Sequence, residues 1–493
     1  MGGPGVAPPS GIHTDPEWPR QGPRGHDRAV LRARPLLLLL PLVACTSPGP
    51  GSRTPTPAGP HLVLVLADDL GYSDLGFTGC RDIATPQLDR LAAEGVVCTD
   101  AHVVASVCAP SRAGLLTGRY PQRTGFECNI GTGEGLLAGT TTFASRLREA
   151  GYETALVGKW HLGSEEHNHP NQLGFEHFTG LLAGSRSYFP VDSPGRKRRI
   201  ERNSTPVPEE ELGYLTDFLT EEGVRRIEQR DPERPLLLFL SYTAPHGPMH
   251  GRADLLERYA DLEDDRRRTY AAMVAALDEG VGRLRDALER EGMADDTVFV
   301  FLSDNGGATN NASDNGPWRG MKGSKWEGGH RVPFVLSWPA RLEPGRHDGL
   351  VSSLDIAATF LTAAGAEPLP VADGVDLVPY LDGRENTPPH ERLLWRRAVA
   401  AAVRQGDWKL IRIEEEDGSH RAPILVDLAR DPSERTDRAA EEPERVAELL
   451  QLLEAWEAEL VPPRWLTGEV WRRNQRRKHE PGVLGREAER RLP

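Results

Sequence analysis

Cys108-Ala109-Pro110-Ser111-Arg112 places a thiol where a helix should begin, with an arginine one turn later. Pro110 suits a first helical turn, where its missing N–H has no partner to lose. Residues at i and i+4 share one helical face, so Arg112 is expected to point back toward Cys108. The free N–H groups of a helix start, joined by a guanidinium, suit a tetrahedral oxyanion. A thiolate phosphatase loop would need its arginine where Gly114 stands, so that chemistry is excluded. A thiol protease needs His and Asn or Asp partners, which Cys108 alone neither supplies nor rules out.

Other residue types narrow the chemistry. Arginine dominates the basic residues, and the only lysines are Lys159, Lys197, Lys322, Lys325, Lys409 and Lys478. A chain that otherwise writes Arg has reason to keep Lys where a compact ammonium is wanted. Lys159 sits in Gly158-Lys159-Trp160-His161-Leu162-Gly163, and Lys322 and Lys325 in Lys322-Gly323-Ser324-Lys325-Trp326-Glu327-Gly328-Gly329. Asp68, Asp69, Asp304 and Asn305 offer oxygen ligands without thiol or imidazole, which favours Ca²⁺ or Mg²⁺. Ser313-Asp314-Asn315-Gly316 repeats the tetrapeptide Ser303-Asp304-Asn305-Gly306, but no apolar run precedes it. The metal is therefore expected at the first copy and turn chemistry at the second. His246, between Pro245 and Pro248, suits general acid work on a stiff loop. His161 follows Lys159 by two residues, so an extended backbone would send both side chains to one side. His102, His167, His169, His250 and His330 are left as possible substrate contacts only.

The elements that must position these residues are short apolar runs. His61 to Ala67 ends in Asp68-Asp69, Thr297 to Leu302 ends in Ser303-Asp304, and Pro235 to Tyr242 delivers Ala244-Pro245-His246. Each reads as a strand buried on both faces, and ligands of open α/β sheets sit beyond the carboxyl ends of such strands. Thr85-Pro86 reads as a capped helix start. Asp265 to Arg290 carries Met273, Ala276, Leu277, Val281 and Leu284 at helical spacing, and Val335 to Trp338 reads as a strand. This alternation predicts a mostly parallel central sheet between helical layers. A composition shift near Asn386 marks a smaller C-terminal part. There Asp407 to Ile413 and Ile424 to Asp427 read as strands, and Pro443 to Leu460 as an amphipathic helix. No internal repeat is evident.

Taken in order, the Cys108 segment with its Leu116-Thr117-Gly118-Arg119 continuation, the two lysine segments and the strand-end carboxylates resemble the formylglycine-dependent sulfatases. The resemblance runs from about His61 to the region of Trp465. It implies an alkaline-phosphatase-like α/β sandwich with a small C-terminal antiparallel sheet and helix. It implies that a formylglycine-generating enzyme oxidises Cys108 to an aldehyde whose hydrate is the nucleophile. It implies Ca²⁺ (or Mg²⁺) on Asp68, Asp69, Asp304, Asn305 and the formylglycine of residue 108. Arg112 and His161 match residues that hold the hydrate, Lys159 and Lys322 the sulfate-binding lysines, and His246 the residue serving the leaving group. Lys325 has no matching role. Sulfate ester hydrolysis, on sulfated saccharides or aryl sulfates, is the implied activity. A phosphomonoester or phosphonate hydrolase, and a non-catalytic sulfated-glycan binder, are the alternatives.

Composition sets the frame. A chain of 493 residues suits one large domain plus a smaller one, and 38% hydrophobic residues suit an ordinary core. The net charge of −14 argues against nucleic acid as a partner and leaves any affinity for polyanions to local basic patches. Residues 1–45 read as a leader: Arg28, Arg32 and Arg34 precede an apolar run too short to span a bilayer. Leu42-Val43-Ala44-Cys45 resembles the bacterial lipobox, implying an exported periplasmic or cell-surface lipoprotein with a membrane anchor at Cys45. Residues 46–60 read as a flexible tether, 61–385 as the catalytic domain and 386–465 as the C-terminal part. Residues 466–493 read as a basic, solvated tail. Pairing among Cys80, Cys98 and Cys128 is left open.

Overall fold

The computed structural model describes residues 59–480 apart from 132, 133 and 467. The leader, Cys45 and the tether up to residue 58 lie outside the described residues, as do 481–493.

The apolar runs lie where their lack of alternation requires, in strands covered on both faces. His61–Ala67 pairs in parallel with Leu236–Ser241 on one side and Thr297–Ser303 on the other. Among the described residues the sheet has ten strands. Their order is Gly345–His347, Val96–Cys98, Phe334–Ser337, Thr297–Ser303, His61–Ala67, Leu236–Ser241, Glu153–Lys159, His177–Leu181, Glu201–Arg202 and Thr205–Pro206. The five strands from Thr297–Ser303 to His177–Leu181 are parallel, while Phe334–Ser337 and the Glu201–Pro206 hairpin run against their neighbours.

Period-two alternation divides the central strand between two cores. Val63, Val65 and Ala67 pack with the helices Pro86–Glu94, Leu215–Glu228 and Asp265–Arg290. Leu62, Leu64 and Leu66 pack with Cys108–Thr117, Phe143–Glu149 and Asp355–Ala363. The residues expected to be buried on the long helix, Met273, Ala276, Leu277, Val281 and Leu284, are buried, and from Tyr270 to Asp278 the helix is buried on every side. The start of the Pro86–Glu94 helix differs from expectation. Thr85 accepts from Gly76 N and donates to Asp89 instead of capping the helix. The cap comes from another helix: Asp278 accepts from the backbone N–H groups of Gln87 and Leu88.

Arg392–Arg397, Ala400–Gln405, Trp408–Ile413 and Ile424–Asp427 form a separate antiparallel sheet. One face packs against the Pro443–Ala458 helix through Leu394, Val403, Leu410, Leu449 and Leu453. The other packs Trp395, Ala402 and Ile411 against Trp326 and Leu350 of the large domain. Lys409, fully buried, crosses this seam to Glu327 and pairs on its own side with Glu434, at 2.9 Å each. Burial demands such pairing, because a lone buried charge is costly.

The tail also departs from expectation. Residues Glu469–Arg477 form a helix whose Gln475 and Arg476 are buried, followed by a buried His479. Among the described residues no disulfide links Cys80, Cys98 and Cys128.

Candidate active site

The parallel strands all deliver their carboxyl ends to one place, and the predicted residues follow them. Asp68 and Asp69 leave His61–Ala67, Asp304 and Asn305 leave Thr297–Ser303, and Lys159 ends Glu153–Lys159. Cys108 begins the Cys108–Thr117 helix after Val107 in extended conformation. The N–H of Ala109, in its first turn, donates to Asn129 Oδ1 at 3.2 Å.

Contacts tie these residues into one cluster. Lys322 Nζ lies 3.1 Å from Cys108 Sγ and 2.6 Å from Asp69 Oδ1. Lys159 Nζ lies 2.6 Å from Asp68 Oδ2. Ligand atoms of Asp68, Asp69, Cys108 and His246 all fall within 4.8 Å of one another. Asp304 joins through the Asp69 N–H, which donates to its Oδ1 at 3.3 Å. Asn305 Nδ2 donates to Asp69 Oδ1 at 2.7 Å. Arg112 does not lie loose beside Cys108. Its Nε donates to Asp304 Oδ2 at 2.8 Å, and its Nη1 to Ser241 Oγ and the Lys159 carbonyl at 2.5 and 3.2 Å.

Burial and charge set the protonation states. Burial pushes the Cys108 thiol up to about 11, against the pull of Lys159 and Lys322, so the unmodified side chain is a neutral thiol at pH 7. Burial alone would raise Asp68, but the Lys159 ammonium holds it well below the usual carboxylate range. Burial and the neighbouring Asp68 push Asp304 up to about 6. Asp68 Oδ1 and Asn305 Oδ1 are buried without a hydrogen-bond partner. Orphaned oxygens are rare in a packed interior. Both belong to the cluster of Asp68, Asp69, Asp304 and Asn305, a hard, oxygen-rich donor set that fits Ca²⁺ or Mg²⁺.

Both histidines are placed, one of them unexpectedly. His161 is not on extended backbone: its φ is +60°, as Asp69's is +63°, in the left-handed region that L-residues seldom occupy. Gly158 at φ +117° precedes Lys159. Gly184 is needed against the His161 ring, because a Cβ there would fall 2.5 Å from Cε1. Burial, reinforced by Lys159 and Arg112, keeps His161 neutral. His246 Nδ1 lies 2.6 Å from the Gly247 carbonyl, which assigns the proton to Nδ1, and Nε2 lies 3.6 Å from Asp69 Oδ2.

The second tetrapeptide copy stays apart from the cluster. Asn315 accepts from Gly307 N, and Asp314 N donates to Asp74. Of the remaining histidines, His102 and His330 share a buried network with Asp100, Glu327 and Lys409. His169 pairs with Glu201. Lys325, without an expected role, is buried 3.4 Å from Ser106 Oγ. Ser241, Asn129 and Asn311 have no signal in the sequence. Asn311 Nδ2 ties the Asp69 and Pro245 carbonyls together at 3.2 and 3.3 Å. A cavity of about 1600 Å³ opens on Asp69, His246 and Lys322.

Known proteins share this chain's sequence pattern and fold. The Sulfatase family model matches residues 60–366. Arylsulfatase J of Mus musculus is 31% identical over a match covering 86% of this chain and 81% of the relative. Steryl-sulfatase of Mus musculus is 30% identical, with 86% of each chain covered. The crystal structure of Ps i-CgsB in complex with k-i-k-neocarrahexaose superposes with a TM-score of 0.77 at 32% identity, covering 86% of this chain and 98% of that one. The fold is thus the alkaline-phosphatase-like α/β sandwich of the sulfatases.

Proposed function

From the premise that this chain belongs to the Sulfatase family and is a sulfuric ester hydrolase, we propose that residue 108, oxidised to formylglycine, is its nucleophile and that sulfated saccharides are its substrates. The observation that carries the reading is Cys108 Sγ at a helix start, 3.1 Å from Lys322 Nζ and within 4.8 Å of ligand atoms of Asp68, Asp69 and His246. The saccharide reading is supported by the neighbour bound to k-i-k-neocarrahexaose. Aryl sulfates are the other ester class that the relatives suggest.

A formylglycine-generating enzyme would oxidise Cys108, and the hydrated aldehyde supplies a nucleophile that a neutral thiol does not. Asp68, Asp69, Asp304 and Asn305 would hold a Ca²⁺ or Mg²⁺ ion, which when bound would supply positive charge beside residue 108. The chain's own residues do the rest. Lys159 and Lys322 bring two ammonium groups to the sulfate, where preorganised charge acts without reorganising solvent. Arg112 fixes the carboxylate of Asp304 and, through Ser241, the end of the Lys159 strand. His246, with Nδ1 held on the Gly247 carbonyl, faces the leaving group through Nε2, the nitrogen that would pass a proton to the departing alcohol oxygen.

Export and a lipid anchor at Cys45 belong to this proposal; export rests on Arg28, Arg32 and Arg34 before a short apolar run, and the anchor on the Leu42–Cys45 segment. The test of the chemistry is a matched pair of esters, sulfate and phosphate, of the same alcohol. Sulfate release should exceed phosphate release; faster phosphate release would favour the phosphoesterase alternative.

A further inference from the structure

The Glu469–Arg477 helix lies beyond the residues matched by the family model, yet it walls the cavity that opens on Lys322. Trp471, Asn474, Gln475 and Lys478 all line that cavity. Their spacing of i, i+3, i+4 and i+7 puts them on one helical face.

The helix is pinned to the catalytic loop. Lys478 Nζ donates to the Lys322 carbonyl, Trp326 Nε1 donates to the Lys478 carbonyl at 3.0 Å, and Lys325 N donates to His479 Nε2 at 2.8 Å. Nε2 therefore accepts, and Nδ1 carries the proton that goes to the Gln475 carbonyl at 2.7 Å. At its other flank Arg476 Nε holds the Glu414 carbonyl at 2.9 Å. Trp471 is thus presented by a fixed element, and it remains 61% exposed. Two helical turns separate Trp471 from Lys478, about 10 Å along the wall. That reach is too far for the group bonded directly to the sulfate.

The other lining groups decide the chemistry of the occupant. The cavity that the indole lines also carries Asn310, Asn474, Glu263 and Asp265, amides and carboxylates suited to hydroxyl groups, which interrupt its apolar lining. A sterol or other extended apolar group would need a continuous apolar lining. A pyranose offers an apolar C–H face for the indole and hydroxyl edges for the amides. We propose that Trp471 and Asn474 form a subsite for a saccharide ring beyond the sulfated one, so that the enzyme prefers sulfated oligosaccharides to sulfated monosaccharides. The proposal rests on the saccharide reading above and adds chain length to it.

The test compares kcat/KM for sulfated galactose and glucosamine monosaccharides with that for oligosaccharides bearing the same sulfated rings, k-i-k-neocarrahexaose included. An aryl sulfate serves as an independent ester. The parent should favour the longer substrate, and Trp471→Ala should reduce that preference roughly five- to tenfold, the scale of one aromatic contact. Trp471→Phe should retain part of it, and Arg473→Ala, exposed and away from the cavity face, should keep it whole. A parent indifferent to length, or a Trp471→Ala variant with an unchanged ratio, overturns the subsite while leaving sulfate hydrolysis standing. Turnover of the aryl sulfate with no saccharide cleaved would overturn both the subsite and the saccharide reading. No turnover of any ester would overturn the proposed function itself.

Discussion

At the scale of single residues, the chemistry depends on which of two identical tetrapeptides meets the strand end. Asp304 lies in the cluster with Asp69 and Arg112, whereas Asp314 holds a turn. Asp304→Ala should weaken Ca²⁺ binding by at least about 10- to 100-fold, the range known for lost metal-site partners, and abolish turnover. Asp314→Ala should do neither. Calcium titration and sulfate release on both variants check this, and equal losses would mean that the assignment is wrong. The assignment is legible in the sequence because an apolar run precedes Asp304 and none precedes Asp314. The left-handed backbone at Asp69 and His161 is not legible, since tertiary packing imposes it on residues that would otherwise avoid it. Ser241, Asn129 and Asn311 are invisible for a related reason. Their types are common, and only three-dimensional neighbours give them a task.

At the scale of elements, strands covered on both faces announce themselves as unbroken apolar runs, and their ends locate the site. Helix ends are harder, because a cap can come from anywhere in the fold. Thr85 is the residue that sequence rules favour, yet Asp278 of the long helix does the capping. Burial pushes Asp278 up from 3.8 to about 6, against the pull of those two N–H groups. A raised folded value means that the native state binds the proton more tightly than the unfolded chain does. The stability tied to this proton is therefore fully present below about pH 4 and is lost as pH rises through about 6. Denaturant unfolding of the parent and of Asp278→Asn between pH 4 and pH 7 reads it. On going from pH 7 to pH 4 the parent should gain on the variant by a few kcal/mol, about 1.4 kcal/mol for each tenfold difference in proton affinity between the folded and unfolded chains. A difference between parent and variant that does not vary with pH would show that Asp278 titrates normally. The terminal helix escapes sequence reading for another reason. Its arginine-rich sequence looks solvated in isolation, and its buried face finds partners only in three dimensions, in the Lys322–Trp326 loop and the Glu414 carbonyl.

At the scale of the whole molecule, two cores and the C-terminal sheet brace one point. The Cys108–Thr117 helix is buried along its entire length, and Lys322 reaches Cys108 from a loop held by Trp326, Glu327 and Lys409 on the seam. So large an investment of buried charge makes sense around a reactive group more potent than a neutral thiol. The central claim is that residue 108 does its work as formylglycine. It is tested most directly by mass spectrometry of the peptide carrying residue 108, taken from a preparation that is releasing sulfate through many turnovers. The account predicts an aldehyde or its hydrate at that position, with the sulfur gone, in proportion to the active fraction. An intact cysteine in a fully active enzyme would contradict it.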